Sequence, residues 1–72
     1  MLIRNIDKKL FYAVEKDSPK KVLRCLKRGA NVNVSIPLKP NFDELTPLVY
    51  AAYLGHLHAV QVLLDNGAAL TA

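Results

Sequence analysis

Apolar positions recur at helical spacing in four short stretches of the chain. Leu10, Ala13 and Val14 fall at i, i+3 and i+4, as do Val22, Cys25 and Leu26, then Leu48, Ala51 and Ala52, and finally Val60, Leu63 and Leu64. Each triplet lays an apolar stripe along one face of a helix. The residues between the stripes agree with this. Asp7 is a candidate N-cap for the first helix, Ser18-Pro19 supplies N-cap and first turn for the second, and Thr46-Pro47 does so for the third, because a proline at the first helical position gives up no hydrogen bond. Gly29, Gly55 and Gly67 follow the second, third and fourth stripes, where glycine's access to left-handed backbone ends a helix. The fourth helix is predicted over about residues 57–66. Between the second and third helices, Pro37, Pro40 and Asn41 interrupt regular structure and predict a turn or a β-hairpin-like excursion over residues 31–45. None of these helices is long enough to be stable alone.

The stripes are a repeat. Shifting the chain by 38 residues lays Leu10 on Leu48, Tyr12 on Tyr50, Ala13 on Ala51, Val22 on Val60, Leu26 on Leu64, Gly29 on Gly67 and Ala30 on Ala68. Identities confined almost entirely to small and apolar positions are what a duplicated supersecondary unit leaves behind.

Thr46-Pro47-Leu48, Ala51-Ala52, Gly55-His56, Val60, Val62-Leu63-Leu64 and Asn66-Gly67-Ala68 resemble an ankyrin repeat, whose period is about 33 residues. The resemblance implies an all-α fold: an ankyrin-repeat solenoid segment of two helix-turn-helix units joined by a long hairpin-like finger loop. Its expected divisions are a degenerate capping repeat at 8–34, an extended finger loop at 35–45 and a full-pattern repeat at 46–72. Departures from the pattern carry information. Val49 stands where the family has His, leaving an apolar contact; Lys8 and Lys9 stand where Thr-Pro would sit, and Asp17 where Gly would sit. Such losses suit a repeat whose outer face meets water.

Ankyrin repeats bind partners with the finger loops and the adjoining short first helices. Carried over residue by residue, this implies partner contacts at Phe42, Asp43 and Leu45 in the finger, Tyr50, Tyr53 and Leu54 in the first helix, and Asn66 before the glycine stop. Aromatic side chains in such places are typical anchors. The competing expectation is that Phe42 and Leu45 fold back over the loop and Tyr53 packs on the neighbouring repeat. Val60, Leu63, Leu64 and Leu70 form an expected stacking or self-association face, for further ankyrin repeats or a second copy, because no polar-faced repeat follows them within the sequence and at least about three repeats are needed for stability. The expected function is a non-enzymatic protein-protein interaction module. The alternative is an N-terminal structural cap of a longer array or of a multidomain enzyme, with no partner of its own.

Composition narrows the chemistry. At 72 residues, 51% hydrophobic and 22% charged, the chain permits one small packed domain, which buries only about 60% of its unfolded surface; sheet-based or barrel enzymes are too large. Cys25 is the lone cysteine, so no internal disulfide forms, and its place on an apolar stripe predicts a buried, inert thiol. His56 and His58, the only histidines, are two apart and point different ways on a helix. Neither a catalytic set, a metal-ligand cluster nor a phosphate loop is present, so catalytic residues, metals and cofactors are all expected to be none. The first apolar stretch is cut short by Asp7, Lys8 and Lys9, a poor secretion signal. The expected location is intracellular, cytoplasmic or nuclear.

Charge changes the picture at one end. Residues 1–28 carry nine bases against Asp7, Glu15 and Asp17, a net of +6, whereas residues 29–72 carry Lys39 against Asp43, Glu44 and Asp65, a net of −2. Lys20, Arg24, Lys27 and Arg28 share one helical stripe. Its first reading is the solvated face of a cap, its second the attraction of an acidic protein partner. Nucleic acid and membrane are disfavoured, since no aromatics interleave with the charges.

Overall fold

The computed structural model describes residues 3–37 and 44–69. Four helices, α1 (Asn5–Glu15), α2 (Pro19–Lys27), α3 (Pro47–Leu54) and α4 (Leu57–Asp65), are interrupted by two short strands, β1 (Ile36–Pro37) and β2 (Glu44–Leu45). The helices form two pairs, α1 with α2 and α3 with α4. The pairs stack side by side, α1 against α3 and α2 against α4. The two strands pair antiparallel, Ile36 opposite Leu45 and Pro37 opposite Glu44, so the predicted hairpin-like excursion is a hairpin base. Its tip lies outside the described residues.

Caps set the helix starts. Ser18 Oγ accepts from the Lys21 amide at 3.3 Å and Thr46 Oγ1 from the Val49 amide at 3.2 Å, each followed by proline in the first turn. Asp7, expected as the cap of α1, instead lies inside that helix, whose N-cap is Arg4. Asp7 is 3% exposed. Its carboxylate takes two hydrogen bonds from the Arg4 guanidinium, at 3.0 and 3.2 Å, and a third from the Asn31 amide at 2.9 Å. Arg4 also donates to the Gly29 carbonyl, so one part-buried ion pair ties the start of α1 to the exit of α2.

At Gly55 the chain turns from α3 to α4 with φ +73°, and the matching residue of the first pair, Asp17, holds φ +49°. The left-handed turn is therefore kept where glycine is lost, at a cost that aspartate bears better than most residues. What offsets it is a contact across the pairs. Asp17 Oδ1 accepts from the Ala59 amide at 3.1 Å, the third residue of α4, which an N-cap side chain normally serves. His56, the N-cap of α4, makes no such bond.

The core consists of Leu10, Ala13, Val14, Val22, Cys25, Leu48, Ala51, Ala59 and Leu63. Two expectations need correction. Ala52 is exposed, not inward, since the close approach of α1 to α3 is made on the Ala51 side. Leu63 is fully buried and so does not belong to an open stacking face. With Ala59, one helical turn earlier, it packs inward; Val60 and Leu64 lie half-buried at the edge of the core. Leu70 lies outside the described residues.

Candidate functional site

The first helices of the two pairs, α1 and α3, lie side by side and carry most of the exposed aromatic surface. Tyr53 is 85% exposed and Val49, one turn before it, 46%. Both stand on the outer side of α3 because Leu48 and Ala51 take its inner side. Tyr53 does not pack on the neighbouring pair, against one of the two expectations for it. Val49, which replaces a histidine in the repeat pattern, is an exposed apolar side chain.

Tyr50 bridges the two helices. Its ring lies 6.1 Å from that of Phe11, tilted by 58°, and its hydroxyl donates to Glu15 Oε1 at 2.9 Å. The Glu15 carboxylate, followed by burial, raises the Tyr50 phenol above its ordinary value of 10.0, since an accepted hydroxyl proton is harder to lose. His56 Nε2 lies 3.1 Å from the Glu15 carbonyl oxygen. Tyr50 is thus half spent on joining the pairs. Tyr12, its counterpart in α1, is exposed beneath the Lys16 ammonium, 5.3 Å from the ring centre, an attractive arrangement of cation and π face.

The remaining expected contacts divide. Leu45 is half-buried at the hairpin base and Leu54 half-buried at the end of α3. Asn66 is exposed, but its amide turns back onto α4 and donates to the Val62 carbonyl at 2.8 Å. Phe42 and Asp43 lie outside the described residues. Phe11 and Glu15, which are not among the expected contacts, occupy in α1 the places of Val49 and Tyr53 in α3. Projecting the second copy onto the first would have found them.

Further polar links join the two helix pairs. Beyond Tyr50 and Asp17, the Asn33 side chain donates to the Gly67 carbonyl at 3.3 Å and accepts from the Ala69 amide at 2.8 Å. His58 Nδ1 sits 3.5 Å from Asp17 Oδ2. Among the described residues, no three of His, Cys, Asp and Glu are grouped to hold a metal ion, and no helix is long and apolar enough to cross a membrane.

Helix pairs stacked in register, glycine or aspartate at the left-handed turns, and a hairpin between the pairs agree with a comparison against known families, in which the model for ankyrin repeats (3 copies) matches residues 5–72. The chain belongs to the ankyrin-repeat family. Comparison with curated proteins gives no match. The match begins at the first residue of α1, so the divergent first helix pair is ankyrin-like throughout. Ankyrin repeats are generally protein-interaction modules without enzymatic activity, and they generally bind proteins.

Proposed function

We propose that this ankyrin segment binds a partner protein across the α1–α3 surface and the finger hairpin, and carries out no reaction of its own. One observation carries the reading: Tyr53 and Val49, large apolar side chains one turn apart, stand exposed on the helix that in this family adjoins the finger. Tyr53, Leu45, Leu54 and the accessible edge of Tyr50 are its contacts, with Phe42 and Asp43 at the finger and Asn66 at its margin. Residues 8–34 act as a capping repeat, 35–45 as the finger and 46–72 as the full-pattern repeat. The positive end of the molecule speeds encounter with acidic partners.

Immobilised chain with Tyr53→Ala and Val49→Ser together should retain at least about tenfold less of any partner that the unaltered chain retains, in keeping with the loss of an aromatic anchor. Its melting temperature should stay unchanged. Undiminished retention, or loss of folding, refutes the assignment.

A second reading is favoured by the half-exposed state of Val60, whose counterpart Val22 is fully buried under the second pair. Val60 and Leu64, with Leu70, then offer a stacking face to further repeats or another copy. Sedimentation of the purified chain tests this: self-association that Val60→Lys abolishes supports it, and a monomer at all concentrations refutes stacking between copies.

A further inference from the structure

The first helix pair turns outward the face by which the second pair receives its neighbour. By the 38-residue correspondence, Pro47, Ala51, Ala59 and Leu63 of the second pair match Lys9, Ala13, Lys21 and Cys25 of the first. The former four are buried. The latter line an open groove of about 230 Å³ between α1 and α2, together with Arg24 and Arg28. Its floor is apolar, built from Ala13 and Cys25, which are 2% and 8% exposed. Its rim is four cations.

That rim is not neutralised from within. Asp7, Glu15 and Asp17 are the only acids in residues 1–28, and each is committed elsewhere: Asp7 to Arg4 and Asn31, Glu15 to Tyr50, Asp17 to Ala59 and His58. Among the described residues, Lys9, Lys21, Arg24 and Arg28 have no ion-pair partner. Lys21, Arg24 and Arg28 also stand three and four residues apart on α2, where like charges repel. The structure further splits the basic stripe read from the sequence. Arg24 and Arg28 line the groove, whereas Lys20 and Lys27 do not.

We propose that this groove is a second docking site, which takes an acidic segment of a partner protein with one apolar side chain seated on Ala13 and Cys25 and carboxylates reaching the four cations. Charge complementarity selects this occupant. A preceding apolar repeat cannot stack here, since Lys9 and Lys21 stand where stacking needs Pro47 and Ala59, and burying unpaired ammonium groups is prohibitive. The volume, below the ~300 Å³ of the smallest usual ligand pockets, suits a side chain rather than a whole ligand. Ile6 and Tyr12 complete the lining, but the groove includes none of Leu45, Tyr50, Tyr53 and Leu54, the contacts proposed above, so either site can fail alone.

The test uses the full chain and a labelled peptide with two glutamates on each side of a Leu-Phe pair. Lys21→Glu with Arg24→Glu should weaken binding by at least about tenfold, whereas Lys20→Glu with Lys27→Glu, the same change of net charge outside the groove, should weaken it by at most about threefold. Replacing the Leu-Phe pair by glycines should also weaken binding. In the unaltered chain, the peptide should shift the backbone amide resonances of Ala13 and Cys25 more than those of Tyr53 and Leu54, a readout that does not depend on a variant folding. Equal losses from the two charge reversals, unshifted Ala13 and Cys25 resonances, no measurable binding of the peptide, or equal affinity for duplex DNA or phosphatidylserine vesicles would each overturn the proposal.

Discussion

Lys21 and Ala59 occupy the same place in two successive helix pairs, one turned to solvent along the rim of a groove and the other wholly buried. Val22 and Val60, one residue further on, are reversed: Val22 is wholly buried and Val60 only partly. Both helices are nine residues long. The difference lies in what stands beside them. The first position of each doublet faces the preceding pair and the second faces the following one, so a repeat's burial is set by its neighbours as much as by its own pattern.

The most direct way to break this comparison is to exchange the residues. Ala59→Lys should cost more than about 3 kcal/mol and leave the chain unfolded, because an ammonium group is forced between the pairs. Lys21→Ala should change stability by no more than about 0.5 kcal/mol. Thermal melts followed by circular dichroism compare the two; similar effects would mean that the faces are not distinct.

Next in size is the floor of the same face. Leu63→Ala should cost about 2–5 kcal/mol, the usual range for a fully buried leucine. Cys25→Ala, at the matching place under an open groove, should cost about 1 kcal/mol, since fewer atoms are removed. Urea midpoints at unchanged slope measure both.

Acid should distinguish the pairs as well. Burial tends to raise the Asp7 carboxyl, but the hydrogen bonds from Arg4 and from the Asn31 amide, with the Arg4 charge, outweigh it and hold the group below its ordinary 3.8. A carboxyl depressed in the folded state contributes stability that is fully present above its unfolded value and is lost as pH falls through the folded one. Stability should therefore decline below about pH 4, and Asp7→Asn, costing about 1–3 kcal/mol at neutral pH through the loss of a charge-assisted bond, should flatten that decline. The second pair has Leu45, which carries no ionisable group, at the corresponding place.

Smallest is the link at the left-handed turns. Asp17→Gly relaxes the backbone but removes the acceptor for Ala59, and the balance should be a loss of about 1 kcal/mol. Asp17→Ala should lose more, keeping the strain without the bond. If glycine proved stabilising, the contact across the pairs would be worth less than the strain it offsets.

Much of this was legible along the chain. Ser18, Thr46, the two prolines after them and Gly55 act locally, through hydrogen bonds spanning three or four residues and through backbone angles, so their roles could be read from neighbours in sequence. The hairpin between the pairs was legible for the same reason. The role of Asp7 was misread because its partners include the Asn31 amide, 24 residues away. Ala52 and Leu63 were misplaced because periodicity defines a stripe without saying where along its width the neighbouring helix sits. The exposure of Tyr53 on α3 follows from its place in the repeat. Phe11 and Glu15 were passed over because the first copy has diverged at those positions, and only the stacking of α1 on α3 brings them to Tyr50.

The sequence alone determined four helices, the caps of α2 and α3, the glycine stops of α2, α3 and α4, the duplication and the family, because each depends on interactions among near neighbours that recur with a fixed period. Tertiary structure alone decided which side of each helix was covered, that Asp17 caps a helix of the other pair, and that the three acids of the positive end are spent on internal bonds while four cations surround an apolar groove. Those outcomes depend on which surfaces meet across tens of residues, and local periodicity carries no record of that.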